Sequence, residues 1–189
     1  MKKTLYLLRH GQTLFNVRKK IQGACDSPLT EEGINQAKIV RQYFKDNNIT
    51  FDHAYSSTSE RACDTLELVV DMPYERLKGL KEVNFGMSEG ESEDLFTQRM
   101  SGHGDNHVEL DWEKSADVLA RVNNILKDIM DRDDHQTVLA VSHAGACTLF
   151  LTKWLDDKCR MIKMTNCCIL KFEYEDKTFN FIEAIDHGF

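Results

Sequence analysis

Proline is scarce in this sequence, and long apolar runs are absent. Only two prolines occur among 189 residues, of which 41% are hydrophobic and 29% charged, a composition typical of a globular protein rather than a disordered one. No apolar run approaches the roughly 20 residues that a transmembrane helix needs. The N-terminal apolar run at 5–8 is too short for a signal peptide and ends in a charge. We therefore predict a buried first strand and a cytoplasmic protein.

Cysteine pairs with the spacing of a redox or metal site are also missing. The six cysteines include no C-x-x-C pair, and a chain of this length can bury a sizeable core without disulfides. Cys167 and Cys168 are adjacent, so on a strand they would point to opposite faces. We expect reduced thiols, as in cytosolic proteins generally.

Positive charge is in the minority. Lys and Arg number 24 against 31 Asp and Glu, which gives a formal net charge of −7. Nucleic acids and anionic membranes are bound through an excess of basic residues, so we expect neither as a partner. A small anionic ligand stays compatible with this composition, since a few arginines in one pocket can reverse the local potential.

Strands and helices alternate along the chain. Residues 4–9 form a continuous apolar run, typical of a strand buried on both faces. Thr30 followed by two glutamates predicts a helix start, and Ser57 with Glu60 predicts a second one. The predicted strands lie at 4–9, 52–56, 137–142, 167–175 and 178–186, and the predicted helices run over 31–47, from Ser57 to about Val70, over 119–129, and from the 137–142 strand to Trp154.

This alternation predicts an α/β fold, a three-layer helix–sheet–helix sandwich with a mainly parallel sheet. We expect one domain over 1–189, ending in a hairpin that turns at Asp176-Lys177. Residues 86–112 contain four glycines and few apolar side chains. Long loops inside compact domains are usually functional or disordered, so we expect a lid or specificity segment there, with one short helix over 93–100.

Two histidines directly follow predicted buried strands. His10 stands within Arg9-His10-Gly11, and His143 follows the later strand. Ligands bind beyond the carboxyl ends of parallel strands, so we expect both imidazoles at one edge of the sheet. Neutral imidazole is a competent nucleophile, a guanidinium suits phosphate oxygens, and Gly11 would let the backbone turn there. Taken alone, an R-H-G triplet more often marks a structural histidine.

Arg61 and Glu82 complete a set of groups suited to phosphoryl transfer. Arg61 falls in the first turn of a predicted helix, where free N–H groups also favour an anion. Glu82 stands just before the glycine-rich segment. Phosphoryl transfer needs positive charge around three oxygens and a proton for the leaving group. Two arginines and two imidazoles can supply the charge, and a carboxylic acid can supply the proton.

Five motifs, in order, carry a resemblance to a known family. They are RHGQTLFN at 9–16, QGACDSPLTEEGINQA at 22–37, SSTSERACDT at 56–65, KEVNFG at 81–86 and SHAG at 142–145. Together they resemble the histidine phosphatase superfamily, also called phosphoglycerate mutase-like. One such motif would be weak evidence, whereas five at compatible spacing argue strongly against chance.

The resemblance implies hydrolysis of a small phosphomonoester in two steps, through a phosphorylated histidine, without a metal or an organic cofactor. It also implies a role for each matching residue. By position, the nucleophile is His10, the phosphate-pocket arginines are Arg9 and Arg61, the second pocket histidine is His143, the proton donor is Glu82, and the substrate-binding residues also include Asn16, Gln22 and Gly23.

Three positions depart from the pattern common among relatives. Lys20 replaces an arginine, which keeps the charge but loses a bidentate fork. Ser88 replaces a tryptophan, which predicts a smaller wall at the site entrance. Thr148 replaces an arginine, which predicts the loss of a supporting contact behind the pocket. None of the three is an implied catalytic residue.

Two other functions stay open on the sequence. A cofactor-dependent mutase would return the phosphoryl group to the product, but members of that type resemble this chain less, because they carry a longer and more basic segment where 60 residues separate Glu82 from His143 here. A non-catalytic phosphate-binding module would have lost the nucleophile or the acid, and both are present. No pattern predicts the particular substrate or the oligomeric state.

The remaining histidines and acidic residues have simpler interpretations. His103 and His107 are four apart, but the glycines around His103 disfavour the helix that a metal site at this spacing would need. His53, His135 and His187 lie near predicted element ends, and we expect them at the surface. A solvated face is likewise expected for the acidic cluster of Glu89, Glu91, Glu93 and Asp94.

Overall fold

A central sheet of mostly parallel strands organises the computed structural model, which describes residues 2–95, 111–155 and 162–189. Its strands are β1 (Lys3–Arg9), β2 (His53–Ser57), β3 (Glu75–Leu77), β4 (Thr137–Ser142), β5 (Ile169–Glu175) and β6 (Thr178–Ile185). Within the described chain they form one six-stranded sheet in the order β3-β2-β4-β1-β5-β6. The pairs β1–β4, β4–β2 and β2–β3 are parallel, and β5 and β6 form an antiparallel edge.

The helices lie close to their predicted positions. Thr30 caps its helix, and its hydroxyl accepts the backbone N–H three residues later at 3.0 Å. The helix that carries Arg61 begins at Glu60 with Ser59 as its cap, so the predicted cap at Ser57 is wrong. The helices are α1 (Leu14–Val17), α2 (Glu31–Asp46), α3 (Glu60–Val69), α4 (Ser115–Met130) and α5 (Ala144–Leu155), with short 3₁₀ helices at Lys78–Leu80 and Gly86–Ser88.

Successive residues of β1 face two different layers of helices. Leu5 and Leu7 pack in one core with α4 and α5, whereas Tyr6 and Leu8 pack in a second core with α2 and α3. Full burial of an aliphatic side chain stabilises a fold by about 1.5–3 kcal/mol. The two cores on opposite faces of the sheet confirm the predicted three-layer α/β sandwich.

The register between β1 and β4 brings the two histidines of the predicted site to the same edge. Arg9 pairs with Ser142, and the next residues along the two strands are His10 and His143. The His10 N–H donates to the Ser142 carbonyl at 3.1 Å. On the other side of β4, β2 ends at Ser57. Three strand ends therefore converge at the edge where the sequence predicts ligand binding.

Local departures from the predicted elements have visible causes. The strand predicted from residue 167 begins two residues later, because Cys167 lies in a turn with a φ of 56°. Cys167 and Cys168 nevertheless contribute to opposite cores.

The surface position expected for His135 is wrong. The side chain is buried, and its Nε2 lies 2.7 Å from the Tyr55 hydroxyl.

Several sequence features fall partly or wholly outside the described residues. The helix predicted over 93–100 is observed at 93–95, and its remainder lies outside them, as do most of the proposed lid segment and the pair His103 and His107. Five cysteines belong to the described chain, and all five are free thiols. None of the helices described combines the length and apolar character needed to cross a bilayer.

Candidate active site

His10 is held as a neutral imidazole with its Nε2 unprotonated. The residue is 4% exposed. Its Nδ1 lies 2.8 Å from the Gly11 carbonyl, which can only accept, so Nδ1 carries the proton. Nε2 therefore has a lone pair, to which the Arg61 Nε donates at 3.3 Å. Burial, followed by the charges of Arg61 and Arg9, holds the pKa of His10 well below 6.5.

Gly11 permits a close approach of two backbone segments. Its φ lies outside the left-handed region. A Cβ at this position would lie 2.6 Å from the Gly33 carbonyl oxygen. The Gly11 N–H donates to the Thr65 hydroxyl at 3.0 Å. The missing side chain thus lets the first turn of α2 pack against the segment that carries His10.

Arg61 is a fully buried cation clamped by the entrance loop, residues 22–26. Its Nη1 donates to the Cys25 carbonyl at 3.0 Å and to the Asp26 carboxylate at 2.9 Å, and its Nη2 donates to the Gly23 carbonyl at 3.0 Å. A buried charge is costly unless it is paired and hydrogen-bonded. The entrance loop meets that requirement and fixes the guanidinium beside the imidazole of His10.

Glu89 holds the entrance loop in place, so the solvated position expected for this carboxylate is wrong. It accepts the backbone N–H groups of Gly23 at 3.0 Å, Ala24 at 2.6 Å, Cys25 at 3.1 Å and Phe85 at 2.9 Å. Partial burial alone would raise the pKa of Glu89, but hydrogen bonds from Cys25, Ala24 and Phe85 outweigh burial and lower it. Both backbone groups of Gly23 are thus engaged within the protein.

Arg9 adds a second, partly buried cation next to His10. Its Nη1 donates to the Met164 carbonyl, while its Nε is buried without a hydrogen-bond partner among the described residues. Burial lowers the pKa of Arg9, and the charge of Glu82 opposes that shift. A buried donor without a partner is rare in proteins, so this N–H is available to an oxygen of a bound anion.

Glu82 faces the N-terminus of α5. The residue is 8% exposed. Its Oε1 accepts the N–H groups of Val83 and Ala146, both at 2.9 Å, and its Oε2 accepts that of Gly145 at 2.9 Å. Oε2 thus has one donor fewer than Oε1 within the described chain. Gly145 admits this approach, because a Cβ there would lie 2.7 Å from Oε1.

His143 is fully buried beside His10, with 5.2 Å between the ring centroids. Its Nε2 lies 2.7 Å from the Ser57 hydroxyl, and its Nδ1 is buried without a partner in the part of the chain described. Burial, followed by Arg61 and His10, holds the pKa of His143 well below 6.5. Ser57 is a site residue that the sequence missed, because its contact depends on the alignment of β2 beside β4.

Asn16 and Gln22 are oriented by Thr13. The Thr13 N–H donates to the Asn16 Oδ1 at 3.1 Å, and the Asn166 side-chain amide donates to the same atom at 3.2 Å. The Thr13 hydroxyl donates to the Gln22 Oε1 at 2.7 Å. With its oxygen held by two donors, Asn16 has its NH₂ group to offer an anion.

The three departures from the family pattern have different surroundings. Lys20 places its Nζ 5.4 Å from the centroid of the Phe15 ring. Ser88 is buried, and its hydroxyl accepts the indole N–H of Trp112 at 3.2 Å. Relatives often carry a tryptophan at the position of Ser88, and in this chain the indole of Trp112 lies against that position instead. Thr148 is exposed on α5.

A cavity of about 450 Å³ lies next to Glu82 and the entrance loop. Arg121 in its wall is paired with Glu113 at 2.6 Å. Lys78 and Lys81 also line the cavity, and neither forms an ion pair with another described residue. The other residues of the wall are Ala24, Asn84, Asp111 and Trp112.

One cluster of potential metal ligands lies away from this edge, at the start of β2. His53, Asp134 and His135 bring their ligand atoms within 4.8 Å of one another. The His135 Nδ1 is 2.8 Å from the Asp134 carboxylate, and the two imidazole rings stack with centroids 3.6 Å apart and planes 9° from parallel. Lone pairs lie in the ring plane, so stacked rings present them side by side instead of converging on one ion. We assign no metal to the cluster.

Comparison with known proteins gives a match over nearly the whole chain. The family model for the histidine phosphatase superfamily (branch 1) matches residues 5–186. A protein of Yersinia pestis (strain Pestoides F), named "Probable phosphoglycerate mutase GpmB", is 29% identical over 186 residues, which covers 91% of this chain and 85% of that protein.

Solved structures with the same fold include enzymes of two kinds. Phosphoglycerate mutase from Bacillus anthracis str. Sterne aligns with a TM-score of 0.87 at 28% identity, over 97% of this chain and 92% of that one. Phosphoserine phosphatase from Entamoeba histolytica, in complex with 3-phosphoglyceric acid, aligns with a TM-score of 0.78 at 26% identity, over 98% of each chain. On the family match and the shared fold, this chain belongs to the histidine phosphatase superfamily, branch 1.

Proposed function

We propose that the chain is a metal-independent phosphomonoesterase that hydrolyses a small phosphorylated metabolite through a phosphohistidine on His10. The observation that carries this proposal is the lone pair of His10 Nε2, buried against the fixed guanidinium of Arg61. Phosphoryl transfer depends mainly on positioning and on neutralising charge at the transferring oxygens. The fully buried Arg61 and the partly buried Arg9 supply that neutralisation from the protein itself.

In the first step, the lone pair of His10 Nε2 forms a bond to phosphorus while the ester P–O bond breaks in line. The leaving oxygen takes the electron pair of that bond and a proton from Glu82. Oε2 is the atom suited to carry this proton, since it accepts one backbone N–H whereas Oε1 accepts two. The alcohol then leaves, and the phosphoryl group stays on His10.

In the second step, water attacks the phosphohistidine. Glu82 is now a carboxylate and takes a proton from the water as the O–P bond forms. The N–P bond breaks, and its electron pair returns to Nε2. Inorganic phosphate leaves, and both His10 and Glu82 regain their starting protonation states.

The cavity beside Glu82 suits a leaving group that carries a second anionic group. The leaving oxygen must lie near Glu82, so the rest of the substrate would extend into this cavity. Lys78 and Lys81 contribute positive charge that no described acidic residue pairs with, and Asp111 in the same wall contributes a negative charge. A carboxylate is such a group, and one relative of solved structure holds 3-phosphoglyceric acid.

A phosphoglycerate mutase is the second candidate, because two of the similar proteins bear that name. The mutase would share the first step. It would differ in passing the phosphoryl group from His10 to a second hydroxyl of the bound ligand, where the hydrolase passes it to water. The products therefore distinguish the two reactions.

The test is product analysis by phosphorus NMR, with nitrophenyl phosphate and with a single phosphoglycerate isomer as substrates. Hydrolysis predicts accumulation of inorganic phosphate, unaffected by a chelator, blocked by vanadate and absent in His10→Ala. Conversion of one phosphoglycerate isomer into the other, at constant total ester, would establish the mutase. Binding of phosphate without any turnover would establish a non-catalytic module.

A further inference from the structure

Ser57 and His143 form a buried pair at the ends of two neighbouring strands. Both residues are 0% exposed, and the Ser57 hydroxyl lies 2.7 Å from the His143 Nε2. A contact of this length is a strong hydrogen bond. Its direction decides which nitrogen of His143 carries the ring proton, because a neutral imidazole has one N–H and one lone pair.

The surroundings of Ser57 determine that direction. Its hydroxyl oxygen already accepts the Ser59 N–H at 3.2 Å. If the His143 Nε2 also donated to this oxygen, the Ser57 proton would have no acceptor in the described chain, and a buried unsatisfied donor is unfavourable. If Ser57 donates to Nε2 instead, both hydroxyl functions are satisfied. The ring proton of His143 then resides on Nδ1.

Nδ1 is the nitrogen of His143 that remains for a ligand. It is buried without a partner among the described residues, and its ring lies beside that of His10. An N–H at this place donates to an oxygen of a phosphoryl group on His10, as preorganised donors do in other active sites. The opposite tautomer would present a lone pair and repel the same oxygen.

We propose that Ser57 is a positioning residue that fixes the Nδ1–H tautomer of His143, so that His143 donates a hydrogen bond to the transferring phosphoryl group. The effect on catalysis rests on the proposed function, whereas the tautomer is a property of the free protein. Ser57 contacts no reacting atom and acts through His143 alone.

The kinetic test compares Ser57→Ala with Ser56→Ala. Ser56 is the neighbouring residue of β2, is equally buried, and has a hydroxyl without a partner in the described chain. We expect Ser57→Ala to lower kcat by about 10–100-fold, the range found when a group that orients a metal-bound imidazole is removed. KM should change less than kcat. Ser56→Ala is expected to keep wild-type kinetics, and Ser57→Thr, which retains a hydroxyl, to recover part of the activity.

The direct test is nitrogen NMR of protein labelled in histidine, with the His143 signals assigned by their loss in His143→Gln. Wild type and Ser56→Ala are expected to show a protonated Nδ1 and an unprotonated Nε2, and Ser57→Ala a shift toward the other tautomer. A wild-type His143 protonated on Nε2 overturns the proposal. This measurement needs only the wild-type protein, so it remains decisive even if Ser57→Ala fails to fold. Retention of both wild-type tautomer and wild-type kcat in Ser57→Ala also overturns it. The predicted tautomer in a protein without turnover supports the role of Ser57 in fixing it and contradicts the proposed function alone.

Discussion

At the scale of single residues, the site depends on where protons reside. The Gly11 carbonyl holds the proton of His10 on Nδ1 and leaves the lone pair of Nε2 toward Arg61. Glu82 meets three backbone N–H groups, two on Oε1 and one on Oε2. These contacts fix both side chains before any ligand arrives, and a preorganised site of this kind needs little reorganisation during a reaction.

Replacement of Glu82 by Gln tests the acid. Glutamine cannot give a proton to the leaving group, so we expect kcat to fall by about 10²–10⁴-fold with an alkyl phosphate, the usual contribution of general acid catalysis. The loss with nitrophenyl phosphate should be smaller at the phosphorylation step, because nitrophenolate leaves without protonation. Single-turnover kinetics with both substrates measure that step. Equal losses for the two leaving groups would contradict the role of Glu82, and Glu31→Gln, an exposed position on α2, is the control.

Replacement of Lys78 and Lys81 by Gln tests the substrate class. Hydrogen bonds to charged groups contribute about 1.5–3 kcal/mol, so we expect the double variant to raise KM for a phosphoglycerate by about 10–100-fold. KM for nitrophenyl phosphate, which has no second anionic group, should stay close to wild type. Lys38→Gln, exposed on α2, is the matched control. An equal change for both substrates would argue against a second anionic subsite.

At the scale of elements, the strands position the histidines and the entrance loop positions the arginine. The continuous apolar sequences of β1 and β4 favour buried parallel strands, and both histidines directly follow such strands, so the placement of His10 and His143 at one edge could be predicted. The contacts that hold Arg61 could not be predicted, because they use backbone carbonyls of residues 22–26. Every residue has such a carbonyl, and only the path of the loop shows which ones converge. The contacts of Glu89 with the entrance loop could not be predicted either, because they use backbone N–H groups.

Replacement of Gly23 by Ala tests the entrance loop. The new Cβ would lie 2.0 Å from the Val83 carbonyl oxygen, so the loop must move and release its hold on the Arg61 guanidinium. Misplacement of a catalytic group by about 1 Å can reduce the rate about 10²-fold, and we expect a loss of that order in kcat/KM. Asn35→Ala, at an exposed position on α2, is the control. Wild-type kinetics in a folded Gly23→Ala protein would show that the clamp is dispensable.

At the scale of the whole molecule, the fold buries three histidines and thereby lowers their pKa values. The three-layer fold could be predicted from the alternation of apolar strands and amphipathic helices, since each pattern requires a layer to cover it. Burial of His10, His135 and His143 is a consequence of that packing which no local pattern shows. In each of the three, burial is the largest effect that lowers the pKa below 6.5.

These buried histidines predict that the protein becomes less stable on acidification. Their pKa values are below 6.5 in the folded chain and near that value when unfolded, so below about pH 6.5 the unfolded state binds protons that the folded state does not. Each histidine then reduces the free energy of unfolding by up to about 1.4 kcal/mol per pH unit. Denaturant titrations across this range measure the slope. His10→Gln should show a shallower slope than wild type, and a slope unchanged by that substitution would contradict the account.

The most direct measurement of the central claim is the covalent state of His10 during turnover. Protein mixed with radiolabelled nitrophenyl phosphate is quenched within a single turnover, digested, and mapped under conditions that preserve acid-labile phosphoramidates. We predict one phosphoryl group on Nε2 of His10, more of it in Glu82→Gln, where attack by water is slowed, and none in His10→Ala. Turnover by wild-type protein without any such adduct, or turnover that survives in His10→Ala, would contradict the account.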